Sequence, residues 1–260
     1  MSKDHQGASK SVAKGKKKTK KGKSGQKSPP AKKSIPQHIR VNDMFLGPLE
    51  RPALAWLVKR LPAWVTPDIL TGFGFFATIL VAVSYVLAKF SPAFLWLASL
   101  GLILNWFGDS LDGSLARYRK IERPKYGFFI DHTVDGLSQV IVFLGLGLSP
   151  YVDFRIALIA LVGYMLVANL VYIGTAVQGV FRLSYAKIGP TEVRALGILF
   201  NTVIFFVGNP IIKLSSMQLS LFDCLMIGLI LFFYIGYIVV VLIQAKKLAK
   251  QEEADLLLKG

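Results

Sequence analysis

The sequence predicts an all-α, polytopic membrane protein with six transmembrane helices, an N-terminal interfacial amphipathic helix and a disordered basic tail. Three observations lead to this fold class. Hydrophobic residues make up 53% of the 260 residues and the mean hydropathy is +0.50, above the level of ordinary soluble domains. Six apolar runs are long enough to cross a bilayer as helices. Most of the positive charge precedes the first of these runs.

Residues 1–43 are predicted to form the disordered, cytoplasmic tail. Residues 1–40 contain twelve Lys and one Arg against Asp4 alone, which explains most of the formal net charge of +16. A segment of Lys, Gly, Ser and Pro buries too little apolar surface to fold. Its charge fits a solvated flank or an attraction to anionic lipid headgroups, and no specific nucleic-acid partner is expected.

Residues 44–66 are predicted to form an amphipathic helix that lies in the membrane interface. One helical face contains the apolar residues Leu49, Ala53, Leu54, Leu57, Val58 and Leu61, and the basic residues lie elsewhere. The segment is too short and too charged to span the bilayer. Trp56 and Trp64 are expected at the level of the headgroups.

Residues 67–246 are predicted to form the transmembrane domain, followed by a cytoplasmic C-terminal tail at 247–260. Polar or basic breaks separate the apolar runs, and Cys224, the one cysteine, lies within the last of them. A disulfide framework is therefore excluded. The six predicted spans are 68–88, 92–114, 129–148, 154–178, 193–212 and 221–245.

The distribution of Lys and Arg predicts the orientation of the spans. Five basic residues lie between spans two and three, and Arg182, Lys187 and Arg194 lie between spans four and five. The loops on the opposite side contain one basic residue each. Basic loops stay in the cytoplasm. Both termini are therefore expected there, together with the end of span two and the start of span three.

Four aspartates, Asp109, Asp112, Asp131 and Asp135 (the acid cluster), lie where two of the apolar runs meet a basic loop. The spacings of three and four residues place each pair on one helical face, so a helical hairpin can bring the pairs together. An ionised Asp in the hydrocarbon region costs roughly 2.5–3.5 kcal/mol. Carboxylates that face one another are suitable ligands for two hard divalent cations, Mg²⁺ or Mn²⁺.

The residues around the acid cluster complete a longer pattern. Gly113 and Ala116 have minimal side chains that leave space against the helix, Arg117 can reach phosphate oxygens, and Gly127 lies one turn before Asp131. The full pattern reads Asp109-x2-Asp112-Gly113-x2-Ala116-Arg117-x9-Gly127-x3-Asp131-x3-Asp135. It resembles the signature of the CDP-alcohol phosphotransferase (CDP-alcohol phosphatidyltransferase) family in all eight positions. The preceding Thr66-Pro67-Asp68 is also similar, although the family often has Asn in place of Asp68.

The resemblance implies an enzyme of phospholipid biosynthesis that transfers a phospho-alcohol from a CDP-alcohol to a lipid or polar alcohol and releases CMP. It implies two Mg²⁺ or Mn²⁺ ions and a homodimer in the membrane. Asp109, Asp112 and Asp131 would be the main metal ligands. Asp135 would be the general base and would also touch a metal. The CDP site would be lined by Thr66, Gly113, Ala116, Arg117 and Gly127.

Two further groups of residues have alternative interpretations. His132 directly follows Asp131, as in the choline/ethanolamine phosphotransferase branch of the family, where it would share the base role. Alternatively it lies on the other face of the helix, since adjacent residues are about 100° apart. Arg182, Lys187 and Arg194 would bind a phosphate or polar head of the acceptor. Alternatively, the residues around Pro190 and Glu192 simply begin a helix.

Two other classes of protein also use acidic residues within the membrane. An intramembrane Mg²⁺-dependent prenyltransferase binds a diphosphate through Asp-rich motifs, which Asn105, Asp109 and Asp131-x3-Asp135 imitate. That fold needs more than six spans and does not require Gly113, Ala116 or Arg117. The other class is a cation transporter that binds its ion through acidic residues within the membrane.

Overall fold

The computed structural model describes residues 39–41, 45–178, 180–182, 189–214 and 217–258. Six of the helices in these ranges are long and apolar enough to cross a membrane, which confirms the predicted all-α polytopic fold. The seven helices are α1 (Gly47–Val58), α2 (Pro67–Leu87), α3 (Phe94–Arg119), α4 (Pro124–Gly147), α5 (Phe154–Gln178), α6 (Pro190–Val207) and α7 (Leu221–Leu257).

Two short strand pairs accompany the helices, and neither was predicted. Strand β1 (Ile39–Val41) pairs in parallel with β2 (Val180–Arg182), so the predicted disordered tail 1–43 is wrong at these three residues. The rest of that tail lies outside the described residues. Strand β3 (Ile211–Leu214) pairs antiparallel with β4 (Met217–Ser220). The predicted fifth span, 193–212, is therefore too long, because α6 ends at Val207 and Gly208 adopts a φ of 79°.

The loop predicted between spans two and three is much shorter in the structure. Helix α3 continues through Arg119, and α4 begins at Pro124 instead of residue 129. Lys120 ends α3 in the left-handed conformation, with a φ of 58°, and Pro124 begins α4 at a position where its missing N–H is not needed. Four residues therefore connect the two helices that contain the acid cluster.

The last helix is also longer than the predicted span. Helix α7 has 37 residues and ends at Leu257, so residues 247–257 are helical rather than a separate tail. At 1.5 Å per residue it is about 55 Å long. This exceeds the roughly 30 Å hydrocarbon core of a bilayer, and α7 therefore projects from the membrane.

Helices α2 and α3 approach each other closely through glycine. A Cβ atom on Gly108 would lie 2.6 Å from the backbone N of Gly74 and 2.6 Å from the carbonyl O of Leu70. Asn105 Nδ2 donates to Gly74 O and to Thr78 Oγ1, each at 3.0 Å. Small residues allow this contact between backbones, and it lies directly beside Asp109.

The amphipathic helix predicted over 44–66 is present as α1, with bounds of Gly47–Val58. Its apolar face packs on α3, where Val58, Leu111 and Leu115 are buried together. Trp56 and Trp64 are 55% and 71% exposed, as expected for residues at the level of lipid headgroups. Helix α1 is therefore fixed to the transmembrane bundle.

Candidate active site

The four aspartates lie on the facing sides of α3 and α4. Asp109, Asp112, Gly113 and Ala116 follow the i, i+3, i+4, i+7 spacing that defines one helical face. Asp131 and Asp135 are one turn apart on α4. Both helices pack more extensively on α2 than on each other. The space between them is therefore open to side chains, and Asp109, Asp131 and Asp135 line one small cavity there.

Asp112 does not line that cavity, and two hydrogen bonds fix the orientation of its carboxylate. Its Oδ2 accepts a hydrogen bond of 2.6 Å from Thr71 Oγ1 on α2. Its Oδ1 accepts one from the backbone N–H of Gly113. Because charge-assisted hydrogen bonds are the strong ones, Thr71 fixes Asp112 from the helix that packs against both α3 and α4.

Asp109 forms an ion pair with Arg194 of α6. Arg194 Nη2 donates to Asp109 Oδ2 at 2.7 Å, and its Nε donates to Asn105 Oδ1 at 2.7 Å. The side chain of Arg194 is only 14% exposed. Its Nη1 is buried and has no hydrogen-bond partner among the described residues. Arg194 thus offsets one negative charge of the acid cluster.

His132 lies next to Asp131, with its Nδ1 3.4 Å from Asp131 Oδ2. Its ring packs against Phe128 and Tyr172, with ring centroids 4.1 and 5.1 Å apart. The ligand atoms that Asp131, His132 and Asp135 can offer to a metal all lie within 4.8 Å of one another. Two carboxylates and an imidazole fit a divalent cation. The other two predicted ligands, Asp109 and Asp112, accept the hydrogen bonds described above.

A second, deeper cavity of about 130 Å³ begins beside Asp135 and Arg194. Other polar residues in its lining include Asn105, Ser138 and Gln139. Gln139 Oε1 is buried without a hydrogen-bond partner among the described residues. The rest of the lining is mainly apolar and includes Leu102, Phe143, Leu146, Phe200, Phe222 and Met226. This deep cavity therefore joins the acid cluster to an apolar space inside the bundle.

Comparison with known proteins identifies the family of this chain. The family model for CDP-alcohol phosphatidyltransferases matches residues 64–245, the range that contains α2 to α6, the acid cluster and most of α7. The chain belongs to the CDP-alcohol phosphatidyltransferase family.

The relatives that this chain matches include a cholinephosphotransferase and two inositol phosphate synthases. Cholinephosphotransferase 1 of Gallus gallus is 29% identical over 213 residues, which cover 75% of this chain and 62% of that protein. Archaetidylinositol phosphate synthase of Pyrococcus horikoshii is 33% identical over 104 residues, covering 40% and 52%. Phosphatidylinositol phosphate synthase of Cutibacterium acnes is 37% identical over 89 residues, covering 34% and 40%. The chain thus spans less than two thirds of the length of each.

The family resemblance also assigned residues to a CDP site, and most of them lie along α3. The guanidinium of Arg117 lies over Gly113, 3.3 Å from the position that a Cβ there would take. Gly127, at the start of α4, has open space around it, and Ala116 is half-buried. Thr66 is exposed, and its Oγ1 accepts a hydrogen bond from Ile69 N as the N-cap of α2. The structure explains Thr66 as a helix cap.

Asp68, which stands where members of this family often have Asn, pairs with Arg123. Arg123 Nη2 donates to both carboxylate oxygens of Asp68, at 2.6 and 2.7 Å. These hydrogen bonds raise the pKa of the Arg123 guanidinium. Since the two side chains are 49% and 53% exposed, this pair is a surface contact between α2 and the α3–α4 connection.

The predicted acceptor site is only partly described. Arg194 lies at the acid cluster, one turn inside a helix that begins at Pro190, so the expected helix start is confirmed. Arg182 lies in strand β2, for which only the backbone is described. Lys187 lies outside the described residues. The structure therefore brings one of the three basic residues to the aspartates.

Three residues in contact with the site were not assigned to it by sequence reasoning. Thr71 and Asn105 hydrogen-bond to the acid cluster and its arginine. Glu50 of α1 is buried, with 8% exposure, and accepts hydrogen bonds from Trp106 and Ser110, which flank Asp109. Glu50 resembles any acid of an amphipathic surface helix, and its burial depends on the tertiary packing of α1.

Proposed function

We propose that this protein transfers a phospho-alcohol from a CDP-alcohol to a hydroxyl acceptor and releases CMP. The observation that carries the proposal is that the hairpin α3–α4 of a CDP-alcohol phosphatidyltransferase family member directs Asp109, Asp131 and Asp135 into one cavity. We propose that two divalent cations, Mg²⁺ or Mn²⁺, bind to Asp109, Asp112, Asp131 and Asp135. We expect this site at the cytoplasmic face, because basic loops stay in the cytoplasm, and we expect a homodimer.

The reaction is a substitution at phosphorus. The acceptor oxygen forms a new bond to the phosphorus, the bond from that phosphorus to the CMP oxygen breaks, and the hydroxyl proton leaves. Bound cations would neutralise the pyrophosphate and stabilise the attacking and leaving oxygens. We assign Asp135 as the base that accepts this proton, because it lines both the small cavity and the deep one. His132 would share the base role, since its ring lies close to the carboxylates of Asp131 and Asp135.

Arginines position the phosphates in this proposal. Arg117 extends over Gly113 on the exposed side of α3, where it would bind the phosphate oxygens of the CDP group together with the open surface at Gly127. Arg194 holds Asp109 and lines the deep cavity. There it would donate to the transferred phosphate or to the acceptor oxygen.

The deep cavity favours a lipid alcohol as the acceptor. Its lining combines Asp135 and a few other polar residues with many apolar side chains, as expected for a hydroxyl attached to an apolar body. Cholinephosphotransferase 1 of Gallus gallus matches a larger share of this chain than the two inositol phosphate synthases do. We therefore propose a diacylglycerol-type acceptor and a small CDP-linked head group.

The test is to measure CMP release by the purified protein with Mg²⁺ or Mn²⁺ and pairs of substrates. CDP-choline or CDP-ethanolamine with diacylglycerol should give CMP. CDP-diacylglycerol with inositol phosphate should not, and the reverse result would overturn the assignment of the acceptor. CMP with Mg²⁺ should protect the protein against thermal unfolding, whereas protection by an isoprenyl diphosphate alone would favour the prenyltransferase alternative.

A further inference from the structure

Two buried carboxylates connect the interfacial helix α1 to the start of α6. Glu50 of α1 accepts hydrogen bonds of 3.3 Å from Thr191 Oγ1 of α6. In the reverse direction, Glu192 of α6 accepts hydrogen bonds of 2.8 Å from the backbone N–H groups of Leu46 and Gly189. Both glutamates are 8% exposed. Each helix therefore supplies an acid that binds the N-terminal end of the other.

Glu50 also binds α3 at the level of Asp109. Its Oε1 accepts hydrogen bonds of 2.9 Å from Trp106 Nε1 and from Ser110 Oγ. Trp106 precedes Asp109 by three residues, and Ser110 directly follows it. One carboxylate thus joins α1, α3 and α6 at a single point, and a buried carboxylate of this kind depends on having its full set of donors.

The Arg194–Asp109 ion pair lies one turn away from this point. Thr191 and Arg194 are three residues apart on α6 and lie on the same side of the helix. On α3, Asn105 and Asp109 face Arg194, and the next residues along, Trp106 and Ser110, face Glu50. Beside the acid cluster, the contact between α3 and α6 is therefore held by two adjacent polar groups, Glu50 and Arg194.

From these contacts we propose that Glu50 is a positioning residue that holds α6 against α3, so that Arg194 reaches Asp109. The interfacial helix is then part of the framework of the acid cluster, not only a membrane anchor. This inference rests on the proposed function for the role of the acid cluster. The contacts themselves are independent of that role.

A cycle of variants tests whether Glu50 acts through Arg194. The variants are Glu50→Ala, Glu50→Gln and Arg194→Ala, each alone, and the combinations of both Glu50 variants with Arg194→Ala. The readouts are kcat for CMP release and the Kd of Mn²⁺, measured by electron paramagnetic resonance in the presence of CMP. Glu50→Gln retains an oxygen that accepts from Trp106 and Ser110, so it serves as the milder variant if Glu50→Ala is not recovered folded.

We expect Glu50→Ala to lower kcat at least tenfold and to tighten Mn²⁺ binding at least threefold. The reason is that displacing the guanidinium from Asp109 removes a positive charge that repels the cation. Glu50→Gln should lie between wild type and Glu50→Ala in both quantities. In the Arg194→Ala background either substitution should add less than a twofold change, because groups that act as one unit are not additive.

Asp223→Asn is the matched control. Asp223 is also a buried carboxylate near the start of a helix, and it accepts hydrogen bonds from the backbone N–H groups of Asp153 and Ser220. It lies at the opposite end of the bundle, where α4 ends and α5 and α7 begin. The Asp223→Asn variant should have a kcat and a Kd of Mn²⁺ within twofold of wild type, even if its unfolding temperature is lower.

Two results would overturn the inference. One is that the effects of Glu50→Ala and Arg194→Ala multiply. The other is that kcat and Mn²⁺ affinity fall together, as they would after a general loosening of the fold. Failure of the proposed function is a separate outcome: wild-type protein would release no CMP from any donor, while the Mn²⁺ measurements would still decide whether Glu50 acts through Arg194.

Discussion

Replacing Gly108 by alanine is expected to force α2 and α3 apart beside the acid cluster. The added Cβ would lie 2.6 Å from Gly74 N and from Leu70 O, and 2.7 Å from Gly74 Cα. All three atoms belong to the backbone, so no side-chain rotation can relieve the contact. To reach ordinary van der Waals separation, the helices must move apart by roughly 1 Å. Overpacking of this kind costs about 1–3 kcal/mol, and we expect the upper half of that range.

The same displacement would disturb the site. It would stretch the hydrogen bonds from Asn105 to Gly74 O, now 3.0 Å, and from Thr71 to Asp112, now 2.6 Å. Hydrogen bonds lose most of their strength beyond about 3.5 Å. CMP release should therefore fall along with stability.

Unfolding can be followed with a thiol-reactive fluorophore, because Cys224 is the one cysteine and is partly buried. For a domain of this size, each kcal/mol shifts the unfolding temperature by about 2–4 °C, so Gly108→Ala should lower it by roughly 4–12 °C. Gly72→Ala is the matched control on α2, since a Cβ there has nothing within 4 Å. If both variants unfold at the same temperature, the prediction is wrong, and α2 and α3 are less closely packed at Gly108 than the structure indicates.

Three further predictions concern the acids and their partners. Asp112→Asn and Asp135→Asn should each abolish CMP release, and near wild-type turnover in either variant would refute the role assigned to that residue. Thr71→Val should lower kcat by roughly 10- to 150-fold, because a hydrogen bond to a charged group is worth about 1.5–3 kcal/mol, whereas Thr71→Ser should retain most of the activity. Arg123→Ala should leave both the unfolding temperature and CMP release unchanged, since its exposed ion pair with Asp68 is screened by water. A clear loss of stability in a thermal scan would contradict that prediction.

Apolar runs predicted the number of membrane-spanning helices correctly but not their ends. Each predicted boundary follows a change in composition, whereas Arg117 and Arg119 continue α3 because basic residues are favourable near a helix C-terminus. The helix ends only where Lys120 adopts a left-handed conformation. Similarly, the polar residues after 246 continue α7 as a helix to Leu257. Hydropathy locates the part of a helix that lies in lipid, and it does not show where the helix itself ends.

The residues of the site also divide into those that local spacing predicted and those that it did not. The spacing of the four aspartates within α3 and α4 is a local property, and it predicted their common faces. The partners Thr71, Arg194 and Glu50 come from three other helices. Their contacts depend on how those helices are rotated and shifted relative to α3, which the periodicity of a single helix does not contain. Arg194 was predicted to bind a phosphate or polar head of the acceptor, and the structure shows that it holds Asp109.

The order of these elements along the chain has a consequence for biogenesis. Asp109 and Arg194 are 85 residues apart, so the ribosome completes the α3–α4 hairpin well before the arginine that pairs with Asp109. Until α6 is inserted, Asp109 carries its insertion cost of roughly 2.5–3.5 kcal/mol without that counter-charge. A nascent chain that stalls after α5 would expose this unbalanced hairpin to the quality-control machinery of the membrane.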